Sequence, residues 1–221
     1  MPHVSITSDT WNNLDPASDL LGRVFDRDPV LRYMLCNLSD EEYQEYLQRY
    51  WRGLCRAAFL NGGVISEADG WKSTAVVLPL GKSRMLGEYS GRTSAVKKKA
   101  LGKQENYYVF AIGTEYDHQG KGFAKALMQA VQEDAWKMEV PVWLEATTER
   151  SRKLYLSLGF DDVEEITLGK ESTAEDGTME HGGQGVTMWA MVWWPQPCAM
   201  KRNAHRGGIA ELDSPSPTSR R

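Results

Sequence analysis

The stretch from Tyr107 to Met138 constrains the fold of this 221-residue chain more than any other. Tyr107 to Ile112 is a run of aromatic and β-branched residues that ends at Gly113, the pattern of a buried strand. A polar corner, Thr114 to His118, follows. Leu127, Met128, Val131, Ala135 and Met138 then recur at helical spacing, which starts a helix near Gly120. Between strand and helix lies His118-Gln119-Gly120-Lys121-Gly122-Phe123-Ala124. Gly120 and Gly122 lack a Cβ, so the backbone can approach a ligand closely, and the first amides of a helix have no internal partner. A helix start of this kind is an anion site suited to phosphates. Two glycines in an ordinary strand-to-helix turn look the same in isolation, so the surrounding elements have to decide.

On the N-terminal side, the residues around Val4 to Ile6 suit a short first strand. Asp15-Pro16 marks a helix start, and Leu20, Leu21, Val24 and Phe25 give that helix an apolar face. It should stop before Asp28-Pro29, because the residue ahead of a proline is pushed out of helical geometry. Ser39 can cap a second helix whose first turn carries Glu41 and Glu42. Tyr43, Leu47, Tyr50, Trp51, Leu54 and Ala58 continue it to about Leu60, and Gly62-Gly63 ends it. Val64 to Ser66 and Trp71 to Pro79 read as a hairpin turning at Ala68-Asp69-Gly70. Residues 81 to 103 hold seven Lys or Arg against one acid. They suit an excursion with a short helix, which is either a solvated basic face or a wall of the substrate site.

Downstream of the glycine loop, Pro141 closes the helix, and Val142 to Ala146 is an apolar strand with Glu145 embedded in it. Thr148 to Leu158 is helical, with Gly159 as its C-terminal stop. Strands from about Asp162 to Leu168 and from Gly185 to Trp194 complete the pattern. Lys170 to Gln184, between them, is expected to be a mobile loop. The whole predicts an α/β fold: a mixed, mostly antiparallel sheet of about six to seven strands flanked by four or five helices. One domain should span 1 to 195, and the Pro-, Ser- and Arg-rich segment 196 to 221 should be a disordered tail.

Composition narrows the class of protein. A net charge of -4 and a pI near 5.7 argue against a nucleic-acid binder as a whole. The longest apolar run, Val186 to Trp194, is far short of the ~20 residues that span a bilayer. Met1 to Leu14 lacks the basic and apolar regions of a secretory signal, so a cytoplasmic protein is expected. Cys36, Cys55 and Cys198 fit neither a disulfide framework nor a metal site, and His3, His118, His181 and His205 are as scattered. No metal is expected.

Two other phosphate motifs fail. No stretch supplies G-x-x-x-x-G-K-[ST], and a dinucleotide fingerprint would need Gly or Ala where Lys125 stands. What fits is Gln/Arg-x-x-Gly-x-Gly/Ala, present as Gln119-Gly120-Lys121-Gly122-Phe123-Ala124. Leu154-Tyr155-Leu156-Ser157-Leu158-Gly159-Phe160 matches an L-Y-x-x-x-G-F segment in the right order. With these two motifs the chain resembles the GNAT acyltransferase superfamily over residues 64 to 168. Within it, DHQGKG at 117 to 122 and VPVWLEAT at 140 to 147 are similar to puromycin N-acetyltransferase-like small-molecule acetyltransferases.

The resemblance implies a sheet splayed after its fourth strand and acetyl-CoA as co-substrate. Its pyrophosphate would rest on the amides of Gln119, Gly120, Lys121, Gly122, Phe123 and Ala124. Its pantetheine arm would run along Ile112, Gly113 and Thr114 as an added strand. Thr148 stands where many members carry an asparagine, and Ser151 where they carry alanine, which puts the contact of Thr148 with the arm in doubt.

The implied reaction is direct attack by a primary amine on the thioester, with a small-molecule acceptor, no nucleic-acid or membrane partner, and a monomer or homodimer. Tyr155 matches the usual general acid, although a packed aromatic would explain it too. Glu145 is the first candidate for a base, direct or through water, because a carboxylate inside an apolar strand is costly without a role or a partner. A buried salt bridge is its alternative. Glu115 and Asp117 are weaker candidates, since acids ahead of a helix commonly serve its dipole. Two other functions stay open: acetylation of proteins or peptides, and a non-catalytic CoA-binding scaffold.

Overall fold

A computed structural model describes residues 5–8, 11–80 and 90–195 of the chain. The expected tail at 196 to 221 and the first part of the basic excursion lie outside these residues. In chain order the elements are β1 (Ile6–Ser8), α1 (Leu14–Val24), α2 (Pro29–Met34), α3 (Asp40–Leu60), β2 (Val64–Ala68), β3 (Ser73–Leu78), α4 (Ser90–Leu101), β4 (Tyr107–Thr114), α5 (Phe123–Lys137), β5 (Val142–Ala146), α6 (Glu149–Ser157), β6 (Asp161–Leu168) and β7 (Val186–Trp193). The strands form one sheet in the order β1-β2-β3-β4-β5-β7-β6. The pairings are antiparallel except β4 with β5, whose parallel register requires the crossover that α5 supplies.

That parallel pairing decides the shape of the site. β4 and β5 are in register only at Tyr107 with Val142 and Tyr108 with Trp143. Beyond them the strands part, as expected, and the sheet opens into a wedge. A bulge at Phe110 sits next to the opening, since Val76 pairs with Ala111 and Val77 with Val109. Bulges bend a strand and increase its twist, which carries β4 away from β5. The hydroxyl of Ser73 donates to the carbonyl of Gly113 at 2.7 Å, so that carbonyl points toward β3. Strand alternation then turns the carbonyls of Ile112 and Thr114 toward the side that β5 has left.

Alternation also separates two cores. Trp143 packs with α1, α3 and α4, through residues such as Leu21, Trp51 and Val96. Val142, Leu144 and Ala146 pack on the other face with Met128, Ala135 and Tyr155. Glu145 shares the face of Trp143. Gly113 is a close-packing position, because a Cβ there would lie 2.7 Å from Val24 Cγ2 and 3.0 Å from Leu21 Cδ2. Without it, α1 can seat directly on β4.

The helices start where the sequence places capping groups. Ser39 and Glu42 form a reciprocal capping box at α3. Asp28-Pro29 ends one helix and begins another: α2 has Pro29 in its first turn, and the Asp28 carboxylate accepts from the amide of Leu31 at 2.9 Å. This short helix brings the number flanking the sheet to six among the described residues. Residues 170–184, expected to be mobile, pair with themselves instead. Thr173 bridges Met179, the Gly185 amide donates to the Thr173 carbonyl at 2.7 Å, and Gly177 lies against the backbone of α2. Left-handed turns at Gly169, Gly177, Gly182 and Gly185 allow that folding, and a composition rich in Gly and polar residues does not reveal it. No helix among the described residues is long and apolar enough to cross a membrane.

Candidate active site

Two adjoining hollows occupy the wedge. The first, of about 400 Å³, is walled by Ile112, Thr114, Gln119, Gly120, Gly122, Phe123, Ala124, Thr148 and Tyr155, which brings together most of the residues expected to bind the co-substrate. Gly113 and Lys121 are not in its wall. Gly113 packs beneath α1, and Lys121 is exposed in the loop. Gly120 has φ of +77° and Gly122 of +94°, the left-handed region that penalises a Cβ. A Cβ at either would meet no protein atom within 4 Å, so backbone conformation rather than crowding by the protein calls for glycine.

Gly122 is the N-cap of α5. It offers no side-chain acceptor, and the first turn holds no acidic residue. The amides at this end are therefore free for an anion, and Lys125 and Arg150 border the same hollow. Gln119 ties the mouth together: its amide donates to the Thr114 carbonyl at 3.2 Å, and its carbonyl accepts from the Arg150 guanidinium. Free amides, two cations and the edge of β4 that β5 leaves uncovered together fit a CoA pyrophosphate and its amide-bearing arm. Among the described residues no group of His, Cys, Asp or Glu is placed to hold a metal.

Thr148 and Ser151 explain each other. Thr148 is the N-cap of α6 and accepts from the Ser151 amide at 3.2 Å, while Ser151 accepts from the Thr148 amide at 3.3 Å. The two departures from the superfamily pattern thus form a reciprocal cap, which anchors the helix that carries Tyr155.

The second hollow, of about 290 Å³, shares the end of β4, Gln119 and the first turns of α6 through Tyr155 with the first, and is closed by the α1–α2 corner and the end of β5. Tyr155 is 5% exposed, and its hydroxyl has no hydrogen-bond partner among the described residues. Burial, then the negative charge of Asp28, raise its proton affinity, so the phenol stays protonated. Glu145 lines the same hollow. It accepts from the Tyr108 hydroxyl and from the Trp143 indole, each at 2.7 Å. Burial pushes its carboxyl up against those two bonds and the pull of Lys97. Lys97 stands 4.8 Å above the Tyr108 ring with its Nζ buried and unbonded, and burial lowers it to about 8. Glu115 is engaged by Arg23, Asp117 is exposed, and neither lines the hollow.

Sequence reasoning missed Asp28, Tyr108 and Lys97. An Asp before a Pro reads as helix punctuation, and Asp28 does cap α2. It is also buried in the wall of the second hollow, where its second oxygen accepts from the Thr147 hydroxyl. Tyr108 sits inside an apolar run, and Lys97 inside a run of lysines. Nothing local distinguishes either from its neighbours.

A splayed sheet with an uncapped, glycine-led helix start on one side and a carboxylate-bearing hollow on the other defines a CoA-dependent acyltransferase. The chain belongs to the acetyltransferase (GNAT) family, whose model matches residues 32–160. Among solved structures it is similar to arylalkylamine N-acetyltransferase 2 from Aedes aegypti, at 14% identity and a TM-score of 0.61 over 87% of this chain and 99% of that one. It is also similar to the ribosomal-protein-S18-alanine N-acetyltransferase of Escherichia coli, at 15% identity and 0.50 over 87% and 94%. Arabidopsis thaliana NAA60, solved in complex with acetyl-CoA, matches at 16% identity and 0.50 over 87% and 98%. At such identities the likeness is one of fold. No curated protein matches the sequence.

Proposed function

We propose that this acetyltransferase moves an acetyl group from acetyl-CoA to a primary amine carried by a small molecule. The observation that carries this reading is the second hollow. At about 290 Å³ it is of the size that takes a small ligand, and Val24, Phe25, Phe110 and Leu144 give it an apolar side that faces polar groups such as Asp28, Glu145 and Thr147. A likeness to puromycin N-acetyltransferase-like enzymes, carried by residues 117–122 and 140–147, points the same way. The reading extends to a cytoplasmic enzyme, monomeric or homodimeric.

Gln119, Gly120, Lys121, Gly122, Phe123 and Ala124 would hold the pyrophosphate, and Ile112, Gly113, Thr114 and Thr148 would flank the arm. When bound, acetyl-CoA supplies an activated acetyl thioester. Tyr155 faces both hollows and is kept protonated by its surroundings, so it suits a proton donor to the departing sulfur. Glu145 opens onto the acceptor hollow with both oxygens already held, so it suits a base that works through water. Thiol release from acetyl-CoA, followed with tyramine, agmatine and puromycin, tests the reading. At least one amine should be turned over, and Tyr155→Phe should lower kcat by about 100-fold or more while acetyl-CoA affinity stays near wild type. Turnover confined to basic peptides would overturn the small-molecule acceptor.

A further inference from the structure

We propose that Lys97, on α4, is a positioning residue for Glu145: acting through the Tyr108 side chain, its buried ammonium holds that carboxylate in the charged form at the wall of the acceptor hollow. This rests on the reading of Glu145 as a base that works through water. It gives part of the basic excursion a task other than that of a solvated face or a substrate wall. Helical spacing puts Lys97 in place. Thr93, Val96 and Leu101 are buried where α4 meets the sheet. Lys97 lies one turn after Thr93 and one before Leu101, so it belongs to that stripe, whereas Lys98 and Lys99 are exposed. In a run of three lysines, only the first turns inward.

The Nζ of Lys97 is buried without a hydrogen-bond partner among the described residues and stands 4.8 Å from the centre of the Tyr108 ring. The hydroxyl of the same tyrosine donates to Glu145 Oε2 at 2.7 Å. One side chain thus takes the cation on its face and the carboxylate at its tip. A cation on the ring makes the phenol a stronger donor, and a stronger donor favours the ionised carboxyl. An unpaired buried ammonium is costly, and the attraction of Glu145 works against the loss of its proton. The same attraction works against protonation of Glu145. Among the described residues α4 adds nothing to the wall of either hollow, so Lys97 can act on the acceptor only through Glu145. The other charged or titratable groups around Glu145 are Arg27 and Asp28 at the α1–α2 corner and Arg150 and Tyr155 on α6. β7, which pairs with Glu145 at Ala190, brings none. Arg27 and Arg150 are exposed, and solvent screens them more than it screens a buried ammonium.

The chemistry balances without Lys97 gaining or losing a proton. The neutral amine forms the N–C bond as the thioester C–S bond breaks. One N–H proton passes through water to Glu145, and Tyr155 gives one to the sulfur. Glu145 then releases its proton to solvent, and Tyr155 regains one from it.

The test is thiol release between about pH 5 and pH 9 with an amine that the wild type turns over. Each variant is expressed as its kcat/KM divided by that of the wild type, a ratio in which the titration of the free amine cancels. For Lys97→Met the ratio should stay within about threefold of one near pH 9 and fall by roughly tenfold or more toward pH 6, because losing an opposite charge nearby raises a carboxyl by about one pH unit or more. Lys97→Gln serves if the methionine variant does not fold. Lys97→Arg keeps the charge and should hold the ratio within about threefold of one throughout. A merely structural role would give a deficit that is flat with pH, and that result, or no deficit at all, would overturn the proposal. Glu145→Gln tells its failure from that of the reading beneath it. A fall in kcat of about 100-fold or more, beside a flat Lys97→Met ratio, would remove Lys97 and keep Glu145 as the base. An unchanged kcat would remove both.

Discussion

The co-substrate cleft and the acceptor hollow share a wall from Ile112 to Tyr155, yet the parts that each has to itself are built in different ways. The cleft takes its wall from two short segments, 112–125 and 148–155, and offers mainly backbone: free amides, two left-handed glycines and a strand edge that β5 leaves uncovered. The hollow adds the α1–α2 corner and the end of β5, and its polar groups are side chains. Asp28 and Thr147, hydrogen-bonded there, are 119 positions apart in sequence. A ligand recognised by backbone needs a local conformation, which a short motif can encode. One recognised by side chains needs several elements to converge. In this chain the first half is compatible with any acyl acceptor, and the second would confer selectivity.

If the halves are independent, damage to one should spare the other. The largest effect is expected from Gly177→Ala, at the loop that buttresses α2. An added Cβ would lie 2.2 Å from the Pro29 carbonyl oxygen and would have to adopt φ of +89°. Overpacking and left-handed strain together cost about 2–5 kcal/mol, a fall in Tm of roughly 5–15 °C by thermal unfolding. Displacing α2 moves Asp28, so the KM for the amine should rise while the Kd of acetyl-CoA stays within about twofold. Equal losses on both sides would break the division.

Gly122→Ala should do the reverse at a smaller scale. Left-handed strain of about 1–2 kcal/mol at the start of α5 should raise the Kd of acetyl-CoA roughly tenfold by calorimetry. At saturating co-substrate the KM for the amine should not move.

The smallest effect concerns Lys97, the cation beside Glu145. Lys97 is lowered from 10.5 to about 8 in the folded protein. Between those values the unfolded chain holds a proton that the folded chain has released, so stability should rise with pH across this window. Lys97→Met should flatten that rise, by a few degrees of Tm. An unchanged slope would show that Lys97 does not carry the linkage and keeps its proton beside Glu145 throughout this window.

Much of the fold can be read in the chain because each element announces itself locally. Tyr107 to Thr114, the helix from Phe123, Val142 to Ala146 and the Tyr155 helix emerge within about three residues of their expected limits, since periodicity, prolines and caps act over a few positions. The self-paired loop at 170–184 did not emerge, because its order comes from Thr173 and Gly177 packing on distant partners. Tyr155 and the residues from Gln119 to Ala124 were visible as motifs, although Lys121 and Gly113 fall outside the wall of the cleft. Asp28 was visible only as punctuation.

By itself, then, the sequence determined the strand, the glycine-led helix start and the helix carrying Tyr155, because each depends on dihedral preferences and caps within one short segment. Tertiary structure alone decided that β4 and β5 part after two residue pairs, that Glu145 and Tyr155 approach from opposite faces of the sheet, and that Asp28 joins the wall of the hollow they share. Those facts depend on how twisted strands and packed helices meet, and no local pattern carries that information.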